Sequence, residues 1–320
     1  MDPVTHILFG QTVAVTVRRQ LPVKGITAAL LLGSVLPDSD AVIAPRGFDL
    51  YLQAHASGTH SLLGAIIGGV ILTLVLRLAL RDSRTFPLLL ASWLGTLGHI
   101  FWDLADGSDI RLFKPFSDVM FGWHLVAMSD PLVLLVLAAA VFVAWRRPMD
   151  AFKVGTAALV LLSLLLVVKK TTQDWARARY TASVAAAPPE AVAIAPVWGR
   201  LSSWTIYDRV GEDVRGWSVD GRSGGVALLF EYRDEAQVLA ARISRTLPVV
   251  RRFLGFSKIP FARLEQRGGR RLVLWSDVTS CSPGRCDVSF GGAYDSKIAP
   301  LYQVIQIGGF SQRHPLPALR

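Results

Sequence analysis

The chain has 320 residues, of which 52% are hydrophobic and 18% charged, with a mean hydropathy of +0.41. That is too apolar for an ordinary soluble protein of this length, and a membrane protein is the default class. The formal net charge is +10, yet residues 1–168 carry 12 Lys+Arg against 11 Asp+Glu while residues 169–320 carry 22 against 13, so nearly all of the excess lies in the C-terminal half.

In chain order, two short apolar segments come first, at 4–17 and 25–36, and are brief enough to be re-entrant or buried helices. Four longer ones follow at 62–80, 86–104, 131–145 and 154–168, at or slightly below the ~20 residues that a span needs. If all six cross, Arg18, Arg19, Lys24, Arg81, Arg84, Arg146 and Arg147 occupy three short loops on one side, which the positive-inside rule assigns to the cytoplasm. The N-terminus, the loops 37–61 and 105–130 and everything beyond 169 then lie outside. The first apolar run is too interrupted, and lacks the basic start, for a cleaved signal peptide.

An Ala/Pro-rich stretch at 181–196 reads as part of a linker over 171–198. Beyond it VALLFEY, RLVLWSD and YQVIQIGGF read as strands and DEAQVLAARISR as a helix of about three turns. The expected fold is therefore an α-helical polytopic membrane domain (1–170) followed by a basic soluble α+β domain (199–320). Cys281 and Cys286, the only cysteines, flank Pro-Gly and are expected to form a disulfide in an external domain. Such a basic domain suits membrane lipids and an anionic small-molecule or lipid substrate. Nucleic acid is disfavoured, because no recognisable module or aromatic-rich basic ribbon accompanies the charge.

The same alternation of segments puts His6, Asp38, Asp40, His55, His60, His99, Asp103 and His124 at the external ends. Sorting of positive charge explains stranded acids, but not five histidines, nor Asp103 near the end of an apolar run where a lone carboxylate is costly. His99 and Asp103 are four apart and share a helix face. His60 is expected to open a helix with Thr59 as its N-cap, His55 to reach in from the loop, and Asp38 and Asp40 to stand in a tight turn after Pro37. A single histidine at an interface is more often solvated or capping; convergence is what favours ligation. A His/Asp set without cysteine suits a hydrolytic site for one or two divalent ions, zinc first, then manganese or iron. His6, His55, His60, His99, His124 and Asp103 are the candidate ligands, and Asp38 or Asp40 is a bridging ligand or general base.

Competing signals are weaker. GRSGG at 221–225 matches a nucleophile-elbow pattern but precedes a strand and reads as a hairpin turn. No P-loop or dinucleotide fingerprint occurs, and two Asp within one turn do not make an aspartyl-protease dyad. A transporter would need charged or broken helices near the bilayer midplane; a noncatalytic metal-stabilised scaffold would keep the ligands and lack an open coordination position.

THILFG, LPDSD, HASGTHSLLGA, GHIFWDLADGSDIRLFKPFSD and HLVAMSDPL resemble, in order and spacing, a family of membrane-bound metal-dependent hydrolases described as LexA-binding, inner membrane-associated proteins. The resemblance covers most of residues 1–150, and RRFLGFSKIPFARLE resembles the soluble region of longer members. It implies a bacterial inner-membrane location and a hydrolase activity assigned to the family largely by pattern. Where the family's histidine box carries Arg and Gly, this chain has Ala56 and Ser57. The succession of His, Asp, His and His-x-x-x-Asp is also similar, in order only, to the ligands of zinc-dependent phospholipase C and single-strand nucleases, which implies roles for His6, Asp38 or Asp40, His60, His99 and Asp103.

Overall fold

Asp2 and Pro3 start the first helix as local chemistry dictates: the Asp2 carboxylate accepts from the Thr5 amide at 3.0 Å, and proline occupies a position whose N–H would go unused. The computed structural model describes residues 1–55, 58–81, 84–184, 188–308 and 310–316; Ala56, Ser57, Asp82 and Arg320 lie outside that set. Two units emerge, one of Met1–Gly47, Ala54–Gln173 and Pro196–Leu201, the other of Phe48–Gln53, Asp174–Ala195 and Ser202–Arg320.

The first unit is helical: α1 (Pro3–Val17), α2 (Ile26–Gly33), then, after α3 (Phe48–His55), α4 (Leu62–Leu80), α5 (Thr85–Ala105), α6 (Pro131–Arg146) and α7 (Ala151–Ser183). By length and composition α4, α5 and the stretch Pro148–Ser183 can cross a membrane, and α2 with the bent 3-10 segment Pro37–Arg46 makes a fourth span if counted as one. α1 and α6 are apolar but only 15 and 16 residues long. Side chains such as Ile67, Ile71, Val75 and Leu78 of α4 are exposed, which water would penalise and lipid does not.

Small residues set the inner packing. A Cβ on Gly33 would meet the Ser92 carbonyl oxygen at 2.8 Å, and one on Gly95 the Leu30 carbonyl oxygen at the same distance, so α2 and α5 approach backbone to backbone. At one end of the unit the basic loops meet: Arg19 donates to the Met149 carbonyl, Lys24 to that of Leu80 and Arg84 to that of Pro22. The opposite end holds the histidines.

The second unit carries a four-stranded sheet, β1 (Ala191–Pro196), β2 (Trp204–Val210), β3 (Asp213–Val219) and β4 (Val226–Arg233), and a five-stranded one. The latter comprises β5 (Pro260–Arg267), β6 (Arg270–Asp277), β9 (Val288–Tyr294), β10 (Pro300–Ile307) and β11 (Phe310–His314), in the order β11-β10-β9-β6-β5. Two short helices, α8 (Leu239–Ser244) and α9 (Pro248–Leu254), bury Ala240 and Ala241 from the first, and Val250 and Phe253 from the second, with Trp275 and Phe290 of the larger sheet. Between β6 and β9 the short strands β7 (Cys281–Ser282) and β8 (Arg285–Cys286) pair, and Cys281 and Cys286 are disulfide-bonded. A helical region with candidate spans followed by an α+β domain is thus the fold class expected.

Several boundaries differ. Residues 171–183 of the expected linker continue α7, since KKTTQDWARARY is a good helix former whether or not lipid surrounds it, and 191–196 pair with β2 as a strand. The expected three-turn helix at 234–245 is reduced to six residues, and 37–61, read as loop, contains the 3-10 segment and α3.

Candidate metal centre

Four antiparallel segments bring their ends together. α1 and α4 begin where α2 and α5 finish, so residues near 6, 34–40, 60 and 99–103 converge although they are far apart in sequence. Pro37 starts a 3-10 helix instead of ending a helix ahead of a tight turn, and Asp38 and Asp40 lie in the first turn of that 3-10 helix. The α4 N-cap is Ser61, accepting from the Gly64 amide at 2.9 Å; His60 closes the preceding 3-10 turn Gly58–His60 instead of opening the helix.

At the centre His60 Nε2 and His99 Nε2 face each other at 3.1 Å. Asp103 Oδ2 lies 3.0 Å from His99 Nε2 and 3.4 Å from His60 Nε2; Asp38 Oδ1 lies 3.6 and 3.4 Å from the same atoms. The expected i, i+4 pairing of His99 and Asp103 is therefore present. His6 stacks on His99 with ring centroids 3.7 Å apart, and its Nε2 is 3.3 Å from Asp103 Oδ1. Among the described residues, three overlapping groups have ligand atoms within 4.8 Å of one another: His6, Asp38 and His99; Asp38, His55 and His60; and His60, His99 and Asp103.

These donors fit a divalent ion. Bonds of about 2.0–2.1 Å in tetrahedral array separate neighbouring ligand atoms by roughly 3.3–3.4 Å, the middle of the observed range of 3.0–3.6 Å. His6, His60 and His99 are fully buried and Asp103 is 1% exposed, while His6 Nδ1 and Asp38 Oδ2 have no hydrogen-bond partner, and His6 Nε2 and Asp103 Oδ2 meet only the cluster's own ligand atoms, at 3.0–3.4 Å. Buried polar atoms left unpaired are costly, and a cation would satisfy several at once.

A second ring of contacts aims the first. The His99 Nδ1 bonds the Ser34 carbonyl oxygen at 2.8 Å, which makes that nitrogen the protonated one and leaves Nε2 as the ligand. His60 Nδ1 lies 3.2 Å from Asp40 Oδ2, which also accepts from Thr59 Oγ at 2.9 Å, and Asp40 Oδ1 is 3.2 Å from His55 Nδ1. Asp40 thus orients His60 and His55, whereas Asp38 faces the cluster. Burial alone would lower the His60 pKa, but hydrogen bonds to Asp38 and Asp40 outweigh it and raise it from 6.5 to about 9. The Met1 amino group lies 2.5 Å from Asp103 Oδ1 and 2.8 Å from Asp106 Oδ2, leaving Asp103 Oδ2 toward the histidines.

Of the expected ligands, His6, His60, His99, Asp103 and, through Asp38 and His60, His55 are brought together. His124 belongs to none of the three groups, and its Nε2 is 3.0 Å from Asp109 Oδ1. The orienting role of the Ser34 carbonyl has no residue-type signal in the sequence, because every residue offers a backbone carbonyl; Thr59, expected as a cap, instead donates to Asp40.

Comparison with known proteins supports the membrane character of the helical unit. A family model described as YdjM inner membrane protein matches residues 1–175. Among curated proteins, the uncharacterized protein YfhP of Bacillus subtilis (strain 168) is 25% identical over 176 residues, covering 52% of this chain and 51% of the relative, so the chain spans about half the length of that relative. No solved structure matches the chain.

Proposed function

The chain belongs to the YdjM inner membrane protein family, and from that premise we propose that it is a membrane-embedded, metal-dependent hydrolase of an anionic ester, with phosphoesters the first class to test. One observation carries the reading: ligand-type side chains from four separate segments converge at ion-binding distances in a buried setting, with several polar atoms unpaired. A structural role for the same residues would satisfy those atoms within the protein.

His60, His99 and Asp103 would hold an ion, with Asp38 and His6 completing that site or a second one; zinc suits the donor set best, ahead of manganese and iron. When bound, the metal supplies an acidified water and polarises the ester oxygen. The protein's own part is positional. Ser34 and Asp40 fix the two imidazoles, and burial excludes bulk water from the histidines. Asp38, whose side chain is 20% exposed and whose Oδ2 is unbonded, is suited to take a proton from an attacking water.

We assign the site to the extracytoplasmic face. The meeting of the basic loops at the other end of the helical unit supports this under the positive-inside rule. The positive excess of residues 169–320 would draw that region toward anionic headgroups or an anionic substrate. The test is turnover of a phosphomonoester and phosphodiester panel by full-length protein loaded with zinc or manganese. Chelator-sensitive hydrolysis that His99→Ala abolishes is the expected result; no turnover by metal-loaded wild type would leave a noncatalytic scaffold.

A further inference from the structure

An apolar cleft of about 340 Å³ adjoins the cluster. Its wall includes Pro37 and Ser39, which flank Asp38 in sequence, and Thr59, which precedes His60 and donates to Asp40 Oδ2 at 2.9 Å; it also includes Gly64, Gly68 and Ile71 of α4, and Leu36. Gly64, Gly68 and Ile71 follow helical i, i+4, i+7 spacing, so the cleft tracks one face of α4 for about 10 Å. Ile71 is 55% exposed, so the cleft opens on the side of α4 that carries the other exposed apolar residues.

The two glycines have different reasons. A Cβ on Gly64 would strike the Gly58 carbonyl oxygen at 2.2 Å, so that glycine admits the backbone of the preceding turn. At Gly68 a Cβ would meet only the flexible tip of Leu36, at 3.2 Å. The missing side chain there leaves a channel instead of seating another helix.

We infer that the substrate is a membrane lipid, one of whose acyl chains lies in this cleft with its ester or phosphate headgroup at the His/Asp cluster. The inference deepens the hydrolase reading, on which it depends for the fate of the headgroup. Direction supports it: the cleft is walled in one part by the neighbours of Asp38 and His60, one of which, Thr59, bonds Asp40, and follows a helix long and apolar enough to span, as a chain descends from its headgroup. Continuity supports it too, since the exposed Val75 and Leu78 of α4 prolong the apolar path beyond Ile71. A soluble phosphoester would have no use for such a channel.

The test reads binding, not cleavage. Full-length protein in detergent is equilibrated with dihexadecanoyl or dibutanoyl phosphatidic acid and its retained lipid is measured by native mass spectrometry. Wild type and Val70→Trp, a substitution at an exposed position of the same helix that does not line the cleft or its continuation, should each hold one long-chain lipid and none of the short-chain form. Gly68→Phe and the more conservatively sited Ile71→Trp should lower retention at least roughly tenfold, about 1.4 kcal/mol or more. Equal retention in all four proteins, no retention by wild type, or loss in the variants of a protein dimer rather than of lipid would overturn the inference. Groove-dependent retention without hydrolysis of any ester would instead sink the enzymatic reading alone.

Discussion

Both oxygens of Asp40 are engaged, by His55 on one side and by His60 and Thr59 on the other, whereas Asp38 brings Oδ1 to 3.4 Å from His60 Nε2 and 3.6 Å from His99 Nε2 and leaves Oδ2 unbonded. The two carboxylates should therefore fail differently. Asp40→Asn should lower metal affinity or activity by about 10–100-fold, as loss of an orienting partner does. Asp38→Asn should cost roughly 10²–10⁴-fold in turnover if it acts as the base. Metal titration and steady-state kinetics on the pair separate these outcomes; identical losses in both variants would remove the distinction. At this scale the sequence displayed His99 and Asp103 plainly, because helical spacing alone puts positions four apart on one face. It left Asp38 and Asp40 ambiguous, since neighbours in a 3-10 turn diverge in direction by an angle no pattern of residue types encodes. His124, expected among the ligands, belongs to none of the three groups and stands beside Asp109 instead, because an external-end position is necessary for the cluster but not sufficient.

Helices were legible wherever apolar length marked them, and less so where polarity took over. α7 outruns its apolar part because backbone propensity does not stop at the membrane boundary, and α3 hid within an apparent loop although Phe48 and Leu52 pack on the second unit's core. Strands β2, β3, β5 and β9 went unread because their alternation is broken by charges and glycines. The basic loops joined by Arg19, Lys24 and Arg84 should be cytoplasmic, so a reporter fused after Arg147 should read cytoplasm and one at the C-terminus the exterior. A cytoplasmic C-terminal signal would contradict the assigned orientation. The β7–β8 hairpin offers an independent check: unreduced protein should resist thiol labelling at Cys281 and Cys286, and Cys281→Ser should destabilise the domain by about 2 kcal/mol in denaturant titration, as expected for so short a closed loop.

For the molecule as a whole, the division into an apolar helical half and a basic α+β half follows from composition, because hydropathy and charge are averaged over many residues and survive local misreadings. The candidate metal centre needed the fold, since its parts come from segments up to 97 residues apart, His6 to Asp103, and only antiparallel packing of α1, α2, α4 and α5 unites them. Membership in the YdjM family locates such a chain in the membrane, while the chemistry rests on whether the cluster holds an ion. The most direct measurement is the metal content of full-length purified protein by inductively coupled plasma mass spectrometry, compared with the His60→Ala, His99→Ala and Asp103→Ala variants and with His314→Ala, which lies in β11 outside the cluster. Wild type and His314→Ala should carry at least one divalent ion per chain and the three cluster variants should be depleted while still inserting into the membrane. Undiminished metal in the cluster variants, or none in wild type after zinc loading, would contradict the account.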